Sequence, residues 1–327
     1  MQSAQLKIIL RASGIMLTLG LGVCYYFQYQ EKYPSTDDAY VNANLVNIAP
    51  KVNGYVTQVL VKNNQVVQQG QVLFRIETKD YSVQYAQEQQ ALNYALQQAK
   101  TAQTQVDSAQ AALISAQASY KNLAEQVQRY TQMNKQNAAS TEQLQNYQMQ
   151  FTQAKSQVEQ AHNSLLVAKN QVQATKAQVA QAQAGVDDAK NHIGYTDVIA
   201  PVNGYVTNMY LAQGQYVTTG QAVFGLVANE NWWVDANFKE NDLARIKIGQ
   251  PVQVDLDMYD HIKYRGIVQS ISYASGNTFS LLPAQNATGN WVKVTQRFTV
   301  RIKIADNAQY PLRVGASADV KVDTTQK

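Results

Sequence analysis

Two stretches of this chain are nearly the same peptide written twice. Residues 52–74 read VNGYVTQVLVKNNQVVQQGQVLF, and residues 202–224 read VNGYVTNMYLAQGQYVTTGQAVF. They align without a gap, and 11 of the 23 positions are identical. Ile48-Ala49-Pro50 and Ile199-Ala200-Pro201 precede the copies, offset by one residue. Each copy alternates apolar and polar residues. Each also carries glycine at turn positions, Gly54 and Gly70 in the first and Gly204, Gly214 and Gly220 in the second. That pattern reads as a small group of short strands. A half this small cannot bury a core alone, so the copies are expected to fold against each other as one β-domain.

The chain between them is built for helices. Leu92, Ala99, Val106, Leu113, Tyr120 and Val127 recur every seven residues as a positions, with Ala95, Ala102, Ala109, Ala116, Leu123 and Tyr130 at d. A second series runs Leu144, Phe151, Val158, Leu165, Val172, Val179 and Val186. Its d positions are Tyr147, Ala154, Ala161, Ala168, Thr175, Ala182 and Ala189. No proline occurs from residue 51 to 200. Heptads sustained this long predict an antiparallel coiled-coil hairpin. Setting Tyr130 opposite Leu144 centres the turn on Asn137. The shaft layers then pair Ala116 with Val158, Leu113 with Ala161, Ala109 with Leu165, Val106 with Ala168 and Ala102 with Val172. Each sets a large residue against alanine, which keeps two helices close and evenly spaced. Ser140 followed by Gln143 supplies the N-cap and N3 residues of a capping box. Arms of about 52 residues make a rod of roughly 80 Å. Charged residues are only 15% of the chain, below the usual quarter, because glutamine and alanine fill this region.

From Asn229 the pattern changes. Residues 251–256, 264–271, 298–304 and 318–322 alternate like strands, and Lys239–Ile246 has the look of a short helix. A small β-barrel is expected there.

At the other end, Lys7 and Arg11 precede an uncharged stretch from Ala12 to Gln30. Nineteen residues at helical rise reach about 28 Å, enough to cross a hydrocarbon core. Tyr25 and Tyr26, with Phe27 and Tyr29, stand where an interfacial aromatic belt belongs, and the basic residues favour a cytoplasmic N-terminus. A cleaved signal peptide would end in a small-x-small site rather than tyrosines. Acylation at Cys24 would want a small residue where Val23 stands.

The sequence shows no chemistry for catalysis. His162, His192 and His261 have no metal-ligand spacing among themselves or with Cys24, the single cysteine. There is no phosphate loop and no paired-carboxylate scaffold. Asp187-Asp188 reads as a solvated helix face, and Asn286-Ala287-Thr288 as a chance glycosylation match. The net charge of +4 is spread along the chain without a basic, aromatic-laced stripe, so nucleic acid is not an expected partner. Lys79 follows the first repeat copy much as the modified lysine does in lipoyl and biotinyl carrier domains, but it would sit at the base of the helical hairpin. No enzyme activity, cofactor or metal is expected.

Three segments carry a family resemblance: 37–56 (DDAYVNANLVNIAPKVNGYV), 237–254 (NFKENDLARIKIGQPVQV) and 279–302 (FSLLPAQNATGNWVKVTQRFTVRI). With the split repeat they make nearly the whole chain resemble the HlyD-type membrane fusion family of periplasmic adaptors, in its EmrA-type multidrug branch. The resemblance implies a multidomain α+β chain: cytoplasmic tail 1–11, transmembrane helix 12–30, lipoyl-like domain 37–78 plus 193–228, coiled-coil hairpin 79–192 with its tip near 131–143, and β-barrel 229–327. It implies a single-pass inner-membrane protein with its bulk in the periplasm of a Gram-negative bacterium. It further implies a major-facilitator transporter and an outer-membrane TolC-like channel as partners, and self-association into a ring or tube of three to six copies. Many such adaptors carry an arginine at the tip, a leucine four residues on and a serine seven further on. Arg129, Met133 and Ser140 meet that spacing with methionine for leucine, and Leu144 follows. Two alternatives are an adaptor of an ABC-driven type I secretion system, disfavoured by the short chain and the 279–302 segment, and a lipoyl or biotinyl carrier subunit, disfavoured by the long insert.

The anchor is open to a direct test. Reporter fusions should place the C-terminus outside the cytoplasm, and intact mass should retain Lys7 and Arg11. A mature chain starting near residue 30 would remove the anchor.

Overall fold

The computed structural model describes residues 31–259, 262–279, 294–305 and 309–326 of the 327-residue chain. The expected anchor, with Lys7, Arg11, Tyr25 and Tyr26, lies outside them, as do Cys24, His261 and most of 279–302. Among the described residues no helix is long and apolar enough to cross a membrane. In chain order the strands are β1 (Ser35–Thr36), β2 (Ala39–Asn42), β3 (Leu45–Ile48), β4 (Gly54–Val59), β5 (Val66–Val67) and β6 (Val72–Ile76). Helices α1 (Lys79–Lys135) and α2 (Thr141–Gly194) follow. After them come β7 (Asp197–Ile199), β8 (Gly204–Thr207), β9 (Tyr216–Val217), β10 (Phe224–Ala228), β11 (Trp233–Lys239), β12 (Pro251–Leu256), β13 (Lys263–Ser275), β14 (Arg297–Ile304) and β15 (Ala318–Val322). The chain divides into two units, one from residues 1–50, 58–74 and 198–327, the other from 51–57 and 75–197.

The repeat copies exchange strands. One sheet runs β3-β10-β8-β5, and a second runs β7-β6-β4-β9. Swapping the copies turns one order into the other, and each sheet takes two strands from each half of the repeat. The backbone shows the exchange directly: Asn64 N–H donates to Val206 O at 2.8 Å and Val206 N–H to Gln65 O at 3.0 Å. Gly70 N–H reaches Ala200 O at 2.8 Å, and Ala200 N–H reaches Gln71 O at 2.9 Å. Apolar residues at matched positions of the two copies are buried together: Val56 and Val206, Val67 and Val217, and Phe74 and Phe224. The Phe74 and Phe224 rings meet edge to face at 6.0 Å.

The remaining strands form a seven-stranded sheet, β1-β15-β12-β13-β14-β11-β2. It closes on itself: Val41 N–H donates to Ala316 O at 2.9 Å, Gly315 N–H to Val41 O at 2.8 Å, and Tyr40 bridges Ser317. Alternate residues of β11 and β12 point inward, so Val234, Ala236, Phe238, Val252, Val254 and Leu256 are buried in one core with Val300, Ile302 and Val320. Two expectations need correction. The sequence pattern puts residues 39–42 in the repeat domain, within 37–78, but β2 pairs with β11, Val41 opposite Val234. Ala39 and Val41 alternate in a way that suits either sheet. The choice is made by side chains from distant sequence: Arg297 on Asp38 at 3.0 Å, and Asn42 and Arg301 on Asp235, both at 3.0 Å. The short helix expected at Lys239–Ile246 is reduced to one 3-10 turn, Leu243–Arg245, because Ile246 is already extended at ψ 127.

In the second unit α1 (57 residues) and α2 (54 residues) pack as an antiparallel hairpin. All their buried residues stand on the two heptad series: Leu92, Ala95, Ala102 and Leu113 on α1, and Ala154, Leu165, Val172, Thr175, Val186 and Ala189 on α2. Tyr120 stacks on Phe151 at 4.9 Å and Tyr130 on Tyr147 at 4.4 Å. Each ring reaches a partner in the layer next to its own. At the base the chain returns to its start, with Ile76 N–H on Thr196 O at 2.9 Å, Tyr81 Oη on Asn53 O at 2.8 Å and Arg75 on Asp197 at 3.1 Å.

The glycine of the repeated NGYV is required by close approach. A Cβ on Gly204 would lie 2.2 Å from Val227 O, and one on Gly54 would lie 2.6 Å from Ile76 Cγ2 at a φ of +151. Gly204→Ala should therefore destabilise the chain by about 1–3 kcal/mol in urea unfolding. Gly194→Ala, where nothing lies within 4 Å at the end of α2, should be neutral or stabilise by about 0.5–1 kcal/mol.

Candidate docking site at the hairpin turn

The turn between α1 and α2 is tied by its own backbone. Gln136 N–H and Ala138 N–H both donate to Met133 O, at 3.1 and 2.8 Å, and Asn137 N–H donates to Asn134 O at 3.0 Å. Asn137 takes the left-handed conformation at a φ of 55, which asparagine tolerates better than most residues. Asn134 Nδ2 donates across the turn to Ala139 O at 3.0 Å. Ser140 then starts α2. Its Oγ accepts from Gln143 N–H at 3.1 Å, and its own N–H donates to Gln143 Oε1 at 3.4 Å, completing the capping box. Lys135 in the last turn of α1 and Glu142 in the first turn of α2 each suit the helix dipole at their end.

The four expected tip residues divide by exposure. Arg129 and Ser140 are exposed, whereas Met133 and Leu144 are half-buried. Arg129 and Met133 are four apart on α1 and so share one strip of helix surface. Ser140 lies beyond the turn with its Oγ committed to the cap. Below them the Tyr130–Tyr147 stack holds the arms together. The Tyr147 phenol is held above its ordinary pKa, first by its hydrogen bond with Tyr130 and then by that neighbour's charge, with Arg129 pulling the other way. The arrangement offers a cation, a thioether and a rigid end to a partner. It offers no nucleophile or paired acid and base. Sequence reasoning missed the Tyr130–Tyr147 stack and the Asn134 clamp. The signal for the first was present, since two tyrosines occupy d positions on either side of the turn.

Other singled-out residues are scattered. Lys79 is the exposed first residue of α1, not a residue in a tight strand-to-strand turn. His192 lies beside Tyr81, Tyr195 and Asp188, and His162 is elsewhere on α2. Among the described residues no group of three or more His, Cys, Asp or Glu is arranged to hold a metal.

Comparisons with known proteins agree with this architecture. Residues 44–229 match the family described as RND MFP, barrel-sandwich hybrid domain. That span begins just after β2 and ends just after β10, which is where the strand exchange begins and ends. The chain is 34% identical over 317 residues to the "Multidrug export protein EmrA" of Escherichia coli (strain K12), covering 93% of this chain and 80% of that protein. It is 33% identical over 326 residues to the "Colistin resistance protein EmrA" of Acinetobacter baumannii, covering 95% and 92%. In fold it is similar to the crystal structure of MacA from Actinobacillus actinomycetemcomitans, with a TM-score of 0.52 at 18% identity over 88% of this chain and 79% of that one.

The cap is the part of the turn most easily weakened. Ser140→Ala should cost about 1 kcal/mol. Its effect should be local, read as faster hydrogen exchange at the amides of residues 141–143 with the unfolding midpoint of the β-domains unchanged.

Proposed function

Because this chain belongs to the membrane fusion protein family, we propose that it is the periplasmic adaptor of a tripartite multidrug efflux pump. The observation that carries the reading is a paired-helix arm of 57 and 54 residues inserted between two strand-exchanging halves of one β-domain. Such an arm spans about 80 Å, a reach that a domain working at one membrane surface has no use for. Similarity to multidrug export proteins runs through more than nine-tenths of the chain, which supports the same role for the β-domains at the arm's base.

In this reading residues 12–30 anchor the chain in the inner membrane, and the hairpin is a coiled coil. The β-domains dock on a major-facilitator transporter, whose ion gradient supplies the energy. Several copies assemble around the export path, and the hairpin turn meets a TolC-like outer channel. The chain's own contribution is to position and to seal, not to catalyse.

The turn is the contact most open to test. Arg129 is exposed on the strip it shares with Met133, so it is free to meet carboxylates or backbone carbonyls of a channel. Arg129→Asp should weaken channel co-purification by about tenfold or more, a change of at least about 1.4 kcal/mol, and lower drug efflux in parallel. Helical content and transporter binding should be unchanged, because residue 129 is outside the buried heptad series. Ser115→Asp, on an exposed face of the shaft, serves as the silent control. Wild-type efflux and channel binding in an Arg129→Asp, Ser140→Arg double variant would move the docking surface away from the turn.

A further inference from the structure

The two flanks of the helical arm differ in charge. In an antiparallel helix pair, heptad positions e and b of both helices fall on one side of the a/d seam, and g and c on the other. A groove of about 400 Å³ shows the first side shared: Gln117, Lys155 and His162 at e line it, with Glu159 at b. Between residues 91 and 126 of α1 and 148 and 183 of α2, Lys100 and Lys121 stand at b, and Lys155, Lys169 and Lys176 at e. Asp107 and Glu159 are the carboxylates of the same flank, and Glu125 lies on the outermost strip. Over these spans the opposite flank has no charged residue and is mostly glutamine, serine and alanine.

The five lysines do not serve the arm itself. Lysines beside a helix seam ordinarily pair with carboxylates across it. In the register bracketed by the two aromatic stacks, the residues opposite Lys155, Lys169 and Lys176 are Gln117, Gln103 and Leu96. None of the five lysines forms an ion pair among the described residues, and all five are exposed. The Asp107 carboxylate accepts instead from Gln103 Nε2 of its own helix at 3.2 Å. The same register sorts the lysines into two groups. Lys121 is level with Lys155. Lys100 is level with Lys176 about 30 Å nearer the base, with Lys169 roughly a turn away. Between the groups stand Ile114 and Leu166, 58% and 52% exposed.

We propose that this flank lies against the acidic peptide stems of the cell wall as the arm passes through it. Spaced carboxylates meet the two lysine groups, and the aliphatic parts of the stems lie on Ile114 and Leu166. Stacked bases would need aromatic platforms, which these two residues do not supply. A bilayer surface would need an unbroken apolar stripe, which the lysines interrupt. The proposal rests on the adaptor reading, which sends the arm outward from an inner membrane.

The test pellets the full chain, in detergent, with purified insoluble sacculi. Binding of wild type should be saturable at about 50 mM NaCl and at least about tenfold weaker at about 500 mM. Lys→Gln at all five positions should weaken it about tenfold at the lower salt. Helical content and the unfolding midpoint should stay at wild type, because the lysines are exposed and unpaired. Sacculi with amidated carboxylates should hold wild type no better than native sacculi hold the five-lysine variant. Ser115→Asp, on the uncharged flank, should pellet like wild type. Co-purification of wild type with the outer channel, read in parallel, tests the adaptor reading by itself, so the two can fail separately. Absence of saturable pelleting by wild type overturns the proposal. So does wild-type affinity in the five-lysine variant or on amidated sacculi.

Discussion

Everything else in the molecule hangs on backbone hydrogen bonds between two segments that the chain separates by a long helical insertion. β5 of the first repeat copy pairs with β8 of the second, and β10 returns to β3. Neither copy has enough strands to shield its own apolar face, so each completes a sheet that the other begins. Closing a flexible loop of that length would cost entropy that grows only slowly with its length. The insertion is not flexible, however. Two antiparallel helices of nearly equal length bring the chain back to where it left, and Ile76 meets Thr196 at the base. A difference of a few turns between the arms would leave the strands out of reach.

The same economy appears in the closed sheet. Its last opening is filled by β2, a strand from the far end of the sequence, and the polar pairs Asp38–Arg297 and Asp235–Arg301 hold it there. These pairs are partly exposed and each contributes modestly. Their value is in choosing a partner for a strand whose apolar pattern fits two sheets. The segment from β1 to β3 thus crosses from one sheet system into the other within a dozen residues.

The helical arm is stiff to its end. The stacked tyrosines and the capping box finish the arm without a loose loop. A turn tied by Asn134, Asn137 and Ser140 closes the arm just beyond Arg129 and Met133, which share one strip of α1.

The sequence by itself determined the elements that depend on periodicity and repetition. The heptads gave the hairpin its buried residues, Asn137 and Ser140 marked its turn, and the matched copies announced that two halves need each other. These are local or internally repeated signals, legible wherever they occur. Only the tertiary structure decided the elements whose signal is ambiguous. Residues 39–42 alternate like any strand, and their place beside β11 depends on Asp38, Asn42 and partners some 200 residues on. The requirement for Gly54 and Gly204 is visible as repetition, but its cause is the approach of Ile76 and of the Val227 carbonyl.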